Sequence, residues 1–136
     1  MRPMRSVLIL AAAIMLWISS SSEAAELIMV RQAGCPWCAA WERDIGPIYS
    51  KSEAGQRAPL RTVDLRDRLP VLLKGPIVYT PTFVLVEKGR EIGRIEGYTG
   101  DHFFWDILDA LLLQLPAEAS LYMPRRTTNE GSETDP

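Results

Sequence analysis

Thiol and imidazole side chains are nearly absent from this sequence. It holds two cysteines, Cys35 and Cys38, and one histidine, His102. A structural zinc site takes about four such ligands, so zinc is disfavoured and no metal is expected. Haem attachment needs histidine directly after the second cysteine, and that residue is Ala39. Charge of one sign is also lacking. The 15 basic and 17 acidic residues leave a net charge of −2. Nothing in that balance points to nucleic acid or an acidic lipid surface as partner. There is no internal repeat.

A long apolar run is missing too. The longest, Val7 to Ile18, has 12 residues, and a membrane-spanning helix needs about 20. It follows a basic start, Arg2 and Arg5, and precedes four serines, Ser19 to Ser22. Ser22-Glu23-Ala24 then puts small residues at the two positions that a signal peptidase reads. The expectation is a signal peptide over 1–24, cleaved after Ala24 or, failing that, after Ala25. A retained membrane anchor is the competing reading. No cysteine lies near the cleavage site, which excludes a lipoprotein. Cleavage would leave 112 residues, too short for two cores. It would also remove Arg2, Arg5 and Glu23, so the 15 and 17 charges become 13 and 16, a net −3. An exported chain with one cysteine pair suits a bacterial periplasm or a similar compartment, where disulfides persist. Residues 25–116 form the expected domain. Beyond Pro116 the apolar periodicity stops, and 117–136 reads as a disordered tail. Leu121-Tyr122-Met123 is a short apolar island in it that could pack back on the domain.

Cys35-Pro36-Trp37-Cys38 is the most informative stretch. A strand, Leu27 to Val30, precedes it and a helix follows. At such a junction the first thiol faces unpaired N–H groups and the positive end of the helix dipole, both of which favour thiolate. The second thiol lies about one turn on, in reach of a mixed disulfide formed at the first. A purely structural disulfide is the bland alternative. Closing a four-residue loop yields only about 2 kcal/mol by the loop-entropy relation, a weak staple.

Periodicity outlines the rest. Helix one is expected from Pro36 to Tyr49, with Cys38, Trp41, Ile45, Ile48 and Tyr49 on one apolar stripe. Pro47, beside Gly46, should kink or end it. Ser50 to Pro59 reads as a polar loop and Leu60 to Leu65 as a second strand. Arg66 to Lys74 reads as a short helix ended by Gly75-Pro76. Thr82 to Val86 and Glu91 to Glu96 read as a hairpin across Lys88-Gly89. A last helix starts at an Asp101 cap and buries Phe104, Ile107, Leu108, Leu111, Leu112 and Leu115. The order β-α-β-α-β-β-α implies parallel early strands, an antiparallel late pair and helices on both sheet faces.

This order, with Cys-x-x-Cys between the first strand and helix, resembles the thioredoxin fold over Glu26 to Leu115. That is an α/β fold with a central mixed sheet of about four strands flanked by helices. Thr80-Pro81-Thr82 matches the family's proline, cis and facing the cysteine pair, at the start of the third core strand. Cys-Pro-Trp-Cys departs from the Gly-Pro pair of ordinary thioredoxins and is similar to the glutaredoxin pattern. Met29 stands where ordinary thioredoxins bury an aspartate. Glu42 is a possible substitute, with plain solvation the blander reading. Thr80 before the proline resembles the periplasmic disulfide isomerases. Gly34-Cys35-Pro36-Trp37-Cys38, Trp41-Glu42, Ile45-Gly46-Pro47-Ile48-Tyr49 and Ala58-Pro59-Leu60-Arg61 leading into Val63-Asp64-Leu65 together resemble the small periplasmic SoxS-like thioredoxins of sulfur-oxidation systems.

The resemblance implies an exported thiol–disulfide oxidoreductase with Cys35 as exposed nucleophile and Cys38 as buried resolving thiol. No cofactor is implied beyond the redox-active Cys35–Cys38 disulfide. Pro36, Trp37, Thr80 and Pro81 would contact substrate, Thr80 by offering its backbone N–H and C=O to an added strand. Trp37 has simple packing on the helix as its alternative. Trp41 is expected in the core, and His102 and Tyr98 carry no expected role. The implied partners are exported protein thiols or disulfides, a membrane electron donor and a sulfur-carrier protein whose cysteine is reduced. A monomer is expected. A disulfide-donating oxidase and a binding or assembly module without turnover are the alternatives.

Overall fold

The computed structural model describes residues 24–116. The expected signal peptide, up to Glu23, and the expected tail from residue 117, with its apolar island, lie outside the described residues. The elements run β1 (Glu26–Arg31), α1 (Pro36–Asp44), α2 (Gly46–Tyr49), α3 (Glu53–Arg57), β2 (Leu60–Asp64), β3 (Thr82–Glu87), β4 (Arg90–Glu96) and α4 (Asp101–Leu112).

The apolar run of β1 makes it an interior strand. It pairs in parallel with β2 and antiparallel with β3, and β3 pairs antiparallel with β4. The sheet order is β2-β1-β3-β4. Side chains alternate across a strand, so β1 and β3 feed two cores. Leu27, Met29, Phe83, Leu85 and Ile95 face the helices, joining Trp41, Ile45, Tyr49, Phe104, Leu108 and Leu112. Ile28, Val30, Val84 and Val86 face the other way. Each large apolar side chain buried in this manner contributes roughly 1.5–3 kcal/mol. The β3–β4 turn uses Lys88 at φ 50° and Gly89 at φ 71°, the positive pair a two-residue hairpin requires.

Several expectations give way here. The first helix breaks at Ile45, whose N–H still bonds the Trp41 carbonyl at 2.8 Å. Pro47 lacks an N–H and so sits in the first turn of α2. The break turns Ile48 out of the apolar stripe, and it is exposed. The expected loop 50–59 contains α3, capped by Ser52, whose Oγ accepts the Gly55 N–H at 3.0 Å. Residues 66–74 form no helix. Pro70 interrupts them, and Leu69, Val71 and Leu73 alternate inward in an extended path that ends with Ile77. This path covers the second sheet face, so both long helices lie on the first. The last helix is capped by Gly100 rather than Asp101. The Asp101 carboxylate accepts from the His102 N–H instead. Ile107 is exposed, leaving Phe104, Leu108, Leu111 and Leu112 as the buried face of α4, with Leu115 just beyond it.

Candidate redox site

Gly34, at φ 75°, turns the chain from β1 into α1. Cys35 is the helix N-cap, and Pro36 occupies the first turn, where a missing N–H costs nothing. Cys35 and Cys38 are joined in a disulfide. The Cys38 N–H points at the Cys35 Sγ from 3.1 Å. The first turn of α1 contains no acidic side chain, so no negative charge there opposes a thiolate. The helix dipole and this N–H act together in its favour.

The two sulfurs differ in access. Cys38 is fully covered, and Cys35 is 8% exposed. Cys35 is thus more enclosed than the expected exposed nucleophile, because a second wall closes over it. That wall is Thr80-Pro81, joined by a cis peptide bond. The Thr80 carbonyl oxygen lies 3.4 Å from the Cys35 Sγ. A disulfide sulfur has no hydrogen to donate, so this is a contact in the oxidised state. Pro81 is buried, and its carbonyl accepts the Gly97 N–H at 2.7 Å. The Thr82 hydroxyl donates to the Tyr79 carbonyl at 2.7 Å, which fixes the turn before the strand.

Trp37 projects into solvent, 61% exposed, and Tyr79 across the site is exposed to the same degree. They flank a cleft of about 860 Å³ that also meets Thr80, Asp44 and Tyr98.

A crystal structure of the reduced periplasmic thioredoxin SoxS from Paracoccus pantotrophus is 42% identical to this chain, with a TM-score of 0.65. The match covers 66% of this chain and 97% of that one. This chain belongs to the SoxS-like thioredoxin family. It is a thiol–disulfide oxidoreductase. A thioredoxin-fold protein from Helicobacter pylori, 18% identical with a TM-score of 0.51, covers 64% of this chain and 68% of its own, and it shares the fold alone. No protein-family model and no curated protein matches the chain.

In this SoxS-like thioredoxin, Met29 is fully buried and offers no carboxylate. Glu42 does not replace one, since its Oε1 sits 3.1 Å from Arg31 Nε with both side chains more than a third exposed. The only buried carboxylates among the described residues are Glu87 and Glu91. Glu87 sits opposite Arg90 and Glu91 opposite Val86 at the turn end of β3 and β4, whereas Thr82 and Pro81 lie at the other end. Five residue steps along the strand separate the two ends, roughly 17 Å. Among the described residues, no buried acid therefore stands beside the disulfide.

Trp41 is in the core, with its ring centroid 5.0 Å from that of Phe83 and 5.5 Å from that of Phe104. His102 lies exposed on α4. Tyr98 is nearer the site than its sequence context suggests. It is buried, and its hydroxyl donates to Asp44 Oδ2 at 3.3 Å. Burial and then the Asp44 charge push its pKa up, so it stays a neutral donor. Tyr79 has no periodic pattern to mark it. Its position two residues before Pro81 was the available signal.

Proposed function

We propose that this chain is an exported, periplasmic reductase of protein disulfides, with Cys35 as nucleophile and Cys38 as resolving thiol. The observation that carries the reading is the placement of the Cys35 Sγ. It receives the Cys38 N–H at 3.1 Å and lies 3.4 Å from the Thr80 carbonyl, while Cys38 is wholly covered. In the reduced enzyme the Cys35 thiolate attacks one sulfur of a partner disulfide. That bond breaks, a mixed disulfide forms at Cys35, and the partner's other sulfur leaves as thiolate. Cys38 then loses its proton and attacks the Cys35 Sγ. The Cys35–Cys38 disulfide forms and the partner's second thiolate departs. Two electrons and two protons pass to the partner. The cysteine pair is the only redox group the cycle needs. A membrane electron donor restores the dithiol.

Substrate contacts fall to Pro36 and Trp37 on one side and to Thr80 and Pro81 on the other. An extended partner segment adds to the Thr80 backbone beside the disulfide. The natural partner is a sulfur-carrier protein with a reactive cysteine, in keeping with membership of the SoxS-like family. The enzyme acts as a monomer, made as a precursor whose residues 1–24 are removed, with 25–116 as the catalytic domain and 117–136 as a tail.

Cys38→Ser tests the reading, because a mixed disulfide at Cys35 then has no internal route of release. Purified from its native host under non-reducing conditions, the variant should carry one dominant exported partner, a sulfur-carrier protein, identified by mass spectrometry. Many secreted proteins at low yield would mean a general reductase. No linked species from an exported, folded variant would overturn the proposal. A Cys35–Cys38 pair found mostly oxidised in the cell would reverse the direction and make the chain a disulfide donor.

A further inference from the structure

The strand β4 carries an ion pair whose hydrogen bonds run away from its own sheet. The Glu91 side chain is 1% exposed and that of Arg94 15%. Arg94 grips Glu91 with both Nε and Nη2, each at 2.6 Å. The same guanidinium donates to the Gly75 carbonyl through Nη2 and to the Pro76 carbonyl through Nη1, each at 3.0 Å. Glu91 Oε2 accepts the Lys74 N–H at 2.8 Å. The Lys74 ammonium in turn reaches the Ile92 carbonyl. Three consecutive residues without secondary structure are thereby held to a sheet strand by side chains. Desolvating two charges is costly, and an apolar pair would stabilise a fold at least as well. What the ionic pair supplies instead is direction, because a planar guanidinium can satisfy two carbonyls and a carboxylate at once.

The segment it holds leads to the disulfide. After Pro76, Ile77 enters the second core. Val78 and Tyr79 then stand exposed, and Thr80 brings its carbonyl to 3.4 Å from the Cys35 Sγ. At the far end, the Thr82 hydroxyl holds the Tyr79 carbonyl. The Val78–Thr80 span therefore runs between the Arg94-held residues 75–76, with Ile77 in the core, and the start of β3, held by Thr82 and by Pro81. No hydrogen bond to a β4 side chain other than these supports residues 74–80.

We propose that Glu91 and Arg94 are positioning residues that hold the Thr80 wall in register over Cys35 for an incoming protein disulfide. The inference rests on the reading that the Thr80 backbone receives the substrate. It predicts a division between substrates. A protein disulfide must add to the wall, whereas a small disulfide need only reach the Cys35 sulfur.

Arg94→Met keeps the volume and removes all the donors. The test compares it with the wild type on insulin, with dithiothreitol regenerating the dithiol, and on hydroxyethyl disulfide under the same conditions. The expected result is a roughly tenfold fall in kcat/KM on insulin, through KM, equivalent to about 1.4 kcal/mol. The rate on hydroxyethyl disulfide should stay within about twofold. Arg94→Lys keeps the charge with a single donor group and should lose about threefold on insulin alone. It also serves as the test if Arg94→Met does not fold. Arg61→Met, which breaks the Glu26–Arg61 pair at the half-exposed side of β2, should leave both substrates unaffected. Equal losses on both substrates, or none on insulin in a folded variant, would overturn the positioning role. A wild-type protein that reduces neither substrate would instead sink the reductase reading itself.

Discussion

Cys35 and Cys38 differ by three positions and by nearly everything else that governs reactivity. Cys35 is the cap residue of α1 and receives an N–H, while Cys38 is sealed in the core. In the reduced protein, iodoacetamide should therefore modify Cys35 well below the pH at which a free thiol reacts, and leave Cys38 nearly untouched. Mass mapping of the alkylated peptides checks this, and first labelling of Cys38 would reverse the two roles. Beneath the pair, Trp41 meets Tyr49, Phe83 and Phe104 in one aromatic cluster. Trp41→Ala should cost about 3–5 kcal/mol in chemical denaturation, as expected for emptying an aromatic site that neighbours cannot fill. Both residues were readable in advance, Cys38 and Trp41 from their three-residue spacing on the first helix. That Thr80-Pro81 faces the pair was implied by the family resemblance, but how far it closes over Cys35 was not, because the closure depends on packing of Thr80, 45 residues away.

Among the elements, α3 shows how short structure escapes a periodic reading. Five residues cannot display an apolar stripe, yet Ser52 and Glu53 supply the cap and the acidic first turn that start a helix. Gly55 within it packs so closely beneath the Tyr49 carbonyl that an added Cβ would collide with backbone. Ser52→Ala should lower stability by about 1 kcal/mol, the usual worth of an N-cap. Gly55→Ala should lower it further, by roughly 1–3 kcal/mol, since overpacking against main chain has no side-chain escape. Urea titrations of the two variants give the order, and a neutral Gly55→Ala would contradict the packing. The segment 66–74 fails in the opposite direction. Its apolar residues were visible, but their spacing is two, Leu69, Val71 and Leu73, and Pro70 sits between them. Length alone suggested a helix where the period indicated an extended path.

For the molecule as a whole, the β4 ion pair should contribute to acid stability. Hydrogen bonds from Arg94, opposed by burial and helped by the Lys74 N–H, hold the Glu91 carboxyl below its usual range. The unfolded chain, with an ordinary glutamate near 4.3, takes up that proton first as pH falls. Glu91 thus stabilises the fold above the ordinary carboxylate value, and this contribution is lost as pH drops through the lower, folded value. Thermal melts from pH 7 to pH 3 should show a smaller decline for Glu91→Gln than for the wild type. A wild-type curve as flat as that of the variant would remove Glu91 from the acid response. The same pair ties the irregular cover of the second sheet face to the edge strand, so acid should loosen that cover and the approach to Thr80 together.

The sequence by itself determined the parts whose physics is local. An apolar run makes β1 and β3 interior strands, and Lys88-Gly89 permits the hairpin. Pro36 opens α1, Pro47 limits it, and Cys35 falls at the helix head. The tertiary structure alone decided what meets across long separations. It set β3 between β1 and β4, left one sheet face to an extended segment, and closed the Thr80 wall over Cys35 until that residue is 8% exposed. It also aimed Glu91 and Arg94 at residues 74–76. Such meetings depend on strand register and chain crossover, which shift a side chain from one face to the other with a single residue of slip.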